Sequence, residues 1–387
     1  MPDDINKKYL PYGHQSINED DIAAVVDVLR GDWLTNGPSV EKFERAVADY
    51  VGASHAVSFS SGTAALHGAM SAAGVSPGDY ALVPAMTFAA TANAAVYCGG
   101  RPLPADISPE TLCLDKNAAA SAAASLAGAS VRAVAPVSFA GYPVDIEFFR
   151  ELAERIGAAL IEDAAHALGA RRGSRFVGQD ADMTVFSFHP VKHITTAEGG
   201  MVVTNSASYA NSLRLFRSHG IVKSPEEFIR PYEGAWDNDM IELGYNYRLS
   251  DMASALGASQ MTRLGKFVAR RAEIAAIYRR ELADTGGVSL PPDHEGHSYH
   301  LFPVTVSANR RKEIFGALRS FGVGVQVHYV PLHLHTYYRR EFGFREGDFP
   351  NAEAFAAGTM SLPIYPGMTD DDAIFVSDKL KEILGKL

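Results

Sequence analysis

The chain has 387 residues, 47% of them hydrophobic, with 35 Lys and Arg against 45 Asp and Glu for a formal net charge of -10. That much apolar material excludes a disordered chain, and the acidic balance excludes a general nucleic-acid or anionic-membrane binder, since both present phosphates to a positive face. At about 100–200 residues per domain the length predicts one large and one small domain, and two cysteines, Cys98 and Cys113, give no disulfide framework, so a reducing cytoplasm is expected.

Met1 to Lys8 is polar, with no apolar stretch of the signal-peptide kind. Asp20 to Arg30 carries apolar residues at helical spacing (Ile22, Val25, Val26, Val28, Leu29), and Gly31 supplies a stop. A turn-rich stretch, Trp33-Leu34-Thr35-Asn36-Gly37-Pro38, leads to a second helix from Val40 to Val51. Strands and helices then alternate. Ala56–Phe59, Tyr80–Val83, Ala133–Val137, Ala158–Ile161, Thr184–Phe188 and Gly200–Thr204 read as short buried strands, and Thr87–Tyr97 as a helix. The Ala-rich segment 118–129 is too short and too weakly apolar to span a bilayer and reads as a surface helix. Short buried strands separated by helices indicate an α/β fold with a mostly parallel sheet covered on both faces.

From about Arg248 the texture changes. A long helical pattern (Met252–Thr285, with a break at Gly265) precedes a strand over 299–306, a helix over 311–321, a strand over 323–328 and a closing helix over 371–384. These segments read as a smaller α+β domain.

Four local features point to one phosphorylated, ring-shaped cofactor. Ser61-Gly62-Thr63 lies between a strand and a helix, where free backbone amides and the helix dipole favour a phosphate. The acid pair Glu162-Asp163 ends a buried strand, where ligands of open α/β sheets bind, and a carboxylate there can hold the proton of a pyridinium nitrogen. Phe186-Ser187-Phe188-His189-Pro190-Val191-Lys192 places a lysine just past another strand, beside hydroxyls and before the tight turn Thr195–Gly200. A desolvated lysine loses basicity and becomes a nucleophile and proton carrier. Phe88, after Pro84, can stack on a planar ring. Each has a plainer reading: a helix cap, a loop cap or ion pair, a surface charge, and core packing. The combination is far more specific than its parts.

These segments resemble the sugar-nucleotide aminotransferase family DegT/DnrJ/EryC1/StrS, over nearly the whole chain. The stretches that carry the resemblance are 32–38, 186–205, 215–221 and 325–329, with Gly244-Tyr245-Asn246-Tyr247-Arg248. The likeness is greatest to the branch of pseudaminic acid synthesis that forms UDP-4-amino-4,6-dideoxy-N-acetyl-altrosamine. The resemblance implies the type I fold of pyridoxal-phosphate enzymes (the aspartate aminotransferase fold). A large domain over 1–250, with a mostly parallel seven-stranded sheet, is followed by a small C-terminal domain over 251–387. It implies pyridoxal 5'-phosphate as cofactor and Lys192 as the Schiff-base lysine. Asp163 matches the partner of the ring nitrogen, His166 a residue beside the ring and Phe88 one stacked on it. Ser187 with the amides of Gly62 and Thr63 is implied to hold the phosphate. Asn246 matches a residue that reaches the neighbouring subunit's phosphate, which implies a homodimer. Thr35, His328 and Tyr329 are implied substrate contacts. The reaction implied is transfer of the amino group of glutamate to carbon four of a UDP-linked 4-keto-6-deoxy-N-acetylhexosamine.

Alternatives are another nucleotide sugar or ring position, or a non-catalytic homologue. Relatives with histidine in place of the lysine are dehydratases, and Lys192 favours transamination. His193 stands where that branch usually has proline, which is expected to alter the local turn. His294, His297 and His300, and likewise His328, His333 and His335, are spaced like metal ligands, but residues three apart in a strand diverge, so no metal is expected. The second set reads as a loop that stacks on a sugar or uracil, or that simply closes. No Gly-x-Gly-x-x-Gly or P-loop pattern is present.

Overall fold

The computed structural model describes residues 9–126, 128 and 130–386. The reading of Met1 to Lys8 therefore lies outside the described residues, as do Ala127 and Ala129 of the Ala-rich segment, whose helical part runs from Lys116 to Ser125.

Seven strands form the central sheet: β1 (His55–Phe59), β2 (Tyr80–Pro84), β3 (Arg101–Ala105), β4 (Val131–Val134), β5 (Ala159–Asp163), β6 (Met183–Ser187) and β7 (Gly200–Thr204). Their spatial order is β1-β7-β6-β5-β4-β2-β3. Only β7 runs against its neighbours. Alternate side chains point to opposite faces, as strand geometry dictates. Ala81, Val83 and Val185 pack under helices α3 (Gly62–Ala72), α4 (Ala90–Tyr97) and α7 (Ala207–Arg217). On the other face Leu82 and Leu160 meet α5 (Lys116–Ser125) and α6 (Ile146–Ile156). Both faces are dry, which is why the strands read as continuous apolar runs.

Strand β3 escaped the sequence reading. Its Pro102 and Pro104 cannot donate ladder hydrogen bonds, and the chain places them at the sheet edge, paired only with β2. Helix α4 begins at Ala90, three residues later than the pattern suggested, which leaves Thr87 and Phe88 in the approach loop.

The N-terminal helices α1 (Glu19–Arg30) and α2 (Pro38–Val51) pack against α8 (Asp251–Met261). The buried Asp251 accepts from the amides of Gly37 (2.7 Å) and Ser39 (3.0 Å), a carboxylate at the start of α2 that also fixes the preceding turn. The long helical pattern breaks at Thr262-Arg263, ahead of Gly265, where the Thr262 hydroxyl bonds back to the Ser259 carbonyl at 2.7 Å. Helix α9 (Leu264–Leu282) then spans two cores. Leu264 and Phe267 join Phe43 and Phe188, whereas Ile274, Tyr278 and Leu282 join Phe302 and Val304.

The C-terminal part holds a three-stranded antiparallel sheet of Val288–Ser289, Phe302–Val306 and Thr359–Leu362, backed by α9 and the closing helix Asp370–Lys386. The predicted strand 323–328 is corrected to an irregular segment that makes isolated bridges at Val323 and Gln326. Its backbone is claimed instead by the start of the chain, through Gly324 N–H to the Leu10 carbonyl at 2.7 Å and Leu10 N–H to the Gly322 carbonyl at 2.9 Å.

Candidate active site

Strands β5 and β6 run parallel and release the chain on the same side of the sheet, where the N-terminus of α3 also arrives. A cavity of about 400 Å³ opens there. Gly62, Thr63, Phe88, Asp163, His166, Ser187, Lys192, His328 and Tyr329 all lie on its wall. Thr35 and Asn246 do not. Thr35 sits exposed on the turn before α2, and Asn246 is exposed beside Ser218. A larger cleft of about 620 Å³ lies elsewhere, by Cys113 and Arg172, but its cations are already spent on carboxylates: Arg172 and Arg175 both on Asp180, and Lys116 on Asp145.

The phosphate end is made by helix α3. The Ser61 hydroxyl accepts from the Ala64 amide at 3.1 Å, which leaves the amides of Gly62 and Thr63, first in the helix, with no intrahelical acceptor. The Ser187 hydroxyl makes no hydrogen bond within the described chain. An added Cβ on Gly62 would sit 3.0 Å from the Ser187 Cβ, and one on Gly200 would sit 2.4 Å from the Ser61 carbonyl oxygen. Only glycine lets these three segments converge.

Opposite lies Asp163, 4% exposed. Its Oδ1 accepts from the Ala165 amide at 3.1 Å and its Oδ2 from the Thr91 hydroxyl at 2.7 Å. Burial raises its pKa, and the Thr91 and Ala165 donors and nearby Lys192 oppose that rise.

Lys192 is half-buried on a loop that leaves β6 and returns to β7. The loop is closed at its neck by Phe188 N–H to the Gly199 carbonyl (2.9 Å) and Thr196 N–H to the Phe188 carbonyl (3.0 Å). The Thr195 hydroxyl donates to the same Phe188 carbonyl at 3.1 Å and accepts from the Ala197 amide at 3.0 Å, holding Ala197 at φ +66. The Lys192 amine has no hydrogen-bond partner among the described residues. Burial lowers its pKa from 10.5 to about 8, against the pull of Asp163 and with the help of Arg271. His193 turns inward and its Nε2 meets the Ser298 carbonyl at 3.0 Å, so it ties the lysine loop to the C-terminal part.

His166 Nδ1 accepts from the Ala140 amide at 3.2 Å, which puts its proton on Nε2, facing the Tyr329 hydroxyl at 3.1 Å. Burial holds its pKa well below the ordinary value, so the ring is neutral. Phe88 is 59% exposed, with its ring 5.8 Å from that of Tyr329. His328 is buried between Tyr12 (5.2 Å) and Tyr329 (5.0 Å) and bonded to Ser361 at 2.8 Å.

The two histidine sets diverge. His294 bonds the Gly296 amide, His297 stacks on Tyr299, and His300 lies on the cavity wall 4.4 Å from the His166 ring. His333 bonds Glu353, away from His328. No group of three or more His, Cys, Asp or Glu among the described residues is placed to hold a metal.

Tyr12, Thr87 and His300 also line the cavity, and Thr91 touches Asp163 from behind. Sequence reasoning missed all four as site residues. The helix-start pattern around Phe88 contained Thr87 and Thr91 and the histidine spacing contained His300, read there only against a metal site, whereas Tyr12 carries no local signal.

The model of the DegT/DnrJ/EryC1/StrS aminotransferase family matches residues 15–381. The UDP-4-amino-4,6-dideoxy-N-acetyl-beta-L-altrosamine transaminase of Campylobacter jejuni (serotype O:2) is 39% identical over 383 residues, 98% of each chain. Helicobacter pylori PseC, an aminotransferase involved in the biosynthesis of pseudoaminic acid, superposes with a TM-score of 0.90 at 28% identity, over 98% of this chain and 100% of that one. The PLP-form of a sugar aminotransferase, Spr1654 from Streptococcus pneumoniae, gives 0.89 at 28% identity over 98% and 99%. No helix among the described residues is long and apolar enough to cross a membrane.

Proposed function

This chain belongs to the DegT/DnrJ/EryC1/StrS aminotransferase family, and from that premise we propose that it transfers the amino group of glutamate to carbon four of a UDP-linked 4-keto-6-deoxy-N-acetylhexosamine, with pyridoxal 5'-phosphate as cofactor. The observation that carries the reading is the meeting, on one cavity wall, of a phosphate cradle, a buried carboxylate and an unbonded amine of lowered pKa.

The residues fit the group. The Gly62 and Thr63 amides and the Ser187 hydroxyl would hold the phosphate. Asp163 would hold the proton on the ring nitrogen, Phe88 would cover one ring face and His166 would lie beside the ring. When bound, the cofactor supplies an electron sink for the charge left by removing a proton beside nitrogen.

Lys192 Nζ is the base. At pH 7 to 8 a useful fraction is neutral, able to take the α-proton of the amino donor and return it. Neutral His166 cannot compete for that proton, because burial and its fixed tautomer keep it uncharged. His328 and Tyr329, on the cavity wall, are the substrate contacts in this reading, and Thr35, which lies off that wall, is not one of them.

Asn246 is exposed on a loop pinned by Tyr247 O to the Ser60 amide at 2.7 Å, so it stands beside the phosphate helix and faces outward. That supports a homodimer in which each Asn246 completes the neighbouring site. The two free cysteines suit a cytoplasmic enzyme.

The test has two parts. The protein reconstituted with pyridoxal phosphate is reduced with borohydride and digested; the cofactor is to be found on the peptide bearing Lys192, and its attachment elsewhere refutes the reading. Incubation with glutamate and UDP- or dTDP-linked 4-keto sugars, with products identified by mass and NMR, then tests nucleotide and ring position. Amination at another carbon, or none with the UDP sugar, overturns the substrate assignment.

A further inference from the structure

We infer that Thr87 and Thr91 are positioning residues for Asp163, two hydroxyls in series that hold the carboxylate ionised and aimed at a protonated ring nitrogen. The inference rests on the function proposed above and concerns how that site is held.

The direction of both bonds follows from counting protons. A carboxylate only accepts, so the Thr91 hydroxyl, 2.7 Å from Asp163 Oδ2, donates to it. That uses its one proton. The Thr87 hydroxyl, 2.9 Å from the Thr91 oxygen, must therefore donate to Thr91. Thr91 is fully buried and Thr87 is 2% exposed, so water does not compete.

A plainer role exists for Thr91, bonding back to the Phe88 carbonyl as threonines near helix starts do, but that contact is 3.3 Å. The shorter, charge-assisted bond wins. Hydrogen bonds in series polarise one another, so Thr87 strengthens the bond that Thr91 makes. With Ala165 on Oδ1 and Thr91 on Oδ2, each oxygen keeps a lone pair and the carboxylate cannot rotate freely. Donors to both oxygens stabilise the charged carboxylate more than the neutral acid, so the pair favours the ionised form. Thr87 lies in the loop at the carboxyl end of β2 and Thr91 in the first turn of α4, both at the same end of the sheet as Asp163.

Three variants test this: Thr91→Val, which keeps the shape and removes the hydroxyl, Thr91→Ser, and Thr87→Val. Each is reconstituted with pyridoxal phosphate labelled with 15N in the ring. For Thr91→Val the nitrogen resonance is expected to move toward the unprotonated position, and the half-reaction with glutamate to slow on the order of 10- to 100-fold, the range for losing a hydrogen bond to a charged group. Thr91→Ser restores both, and Thr87→Val moves both in the same direction by less.

An unchanged resonance with a rate within twofold of the original protein overturns the inference, as does a Ser variant as impaired as the Val variant. Should Thr91→Val fail to fold, Thr91→Ser and Thr87→Val decide by the same readouts. If the unaltered protein binds no cofactor at Lys192, the proposed function itself fails and this inference falls with it. Binding at Lys192 with an unmoved resonance sinks this inference alone.

Discussion

A lysine whose pKa is about 8 has a neutral fraction at pH 7 of roughly one in ten, whereas an ordinary lysine at 10.5 has about one in three thousand. The ratio is on the order of 300-fold. Trace labelling of the cofactor-free protein with acetic anhydride reads this directly, because only the neutral amine reacts. Lys192 is expected to reach half its maximal labelling near pH 8, well ahead of the protein's other lysines, with the peptide quantified by mass spectrometry. Asp163→Asn sharpens the test. The carboxylate raises the lysine pKa, so its removal is expected to lower the half-labelling pH further and increase labelling at pH 7. Half-labelling near 10.5 would refute the burial argument. An upward shift in Asp163→Asn would refute the claim that the two charges interact across the cavity.

Other predictions follow from the same geometry. Because folding depresses the Lys192 pKa, the folded state binds fewer protons than the unfolded one between about pH 8 and 10.5, and stability rises with pH across that window. Cofactor-free Lys192→Met should therefore be more stable than the original below pH 8, with the advantage fading as pH rises to 10.5; denaturant melts at a series of pH values check this. Gly200→Ala places a Cβ 2.4 Å from the Ser61 carbonyl oxygen and 2.7 Å from the Gly62 Cα, backbone that cannot step aside. It should cost about 1–3 kcal/mol of stability and weaken cofactor binding at least tenfold, by thermal melts and cofactor titration. Phe88→Ala should leave Tm nearly unchanged, since the ring is 59% exposed, while cofactor affinity falls by about 0.5–1.5 kcal/mol. Neither Lys192→Ala nor Asn246→Ala alone should support full turnover, but mixing the two after subunit exchange should recover activity through hybrid dimers with one intact site; no recovery would count against shared sites.

Much of the site was legible because the type I aminotransferase fold writes it in short contiguous segments. Ser61-Gly62-Thr63 follows a buried strand, Glu162-Asp163 ends one and Ser187 through Lys192 starts at the end of another, and the sheet brings those strand ends together. The failures have physical causes. Pro102 and Pro104 hid an edge strand, because proline argues against a strand everywhere except at an edge. The stretch 323–328 has strand-like residues, but Leu10, more than three hundred positions earlier, takes its backbone bonds. Thr91 meets Asp163 across 72 positions, and Tyr12 and His300 reach the cavity from segments far from β5 and β6 in the chain, separations over which no periodicity survives. Propensity reports local preference, and these residues are placed by tertiary contact.

The neck of the Lys192 loop carries a further consequence. Since Phe188 and Gly199 bond to each other at its base, the segment between them leaves and rejoins the sheet at one point, with Ile194 set in the core and His193 bound to Ser298. Chemistry at this position can be rewritten by substitutions inside the segment while the scaffold beneath keeps its register.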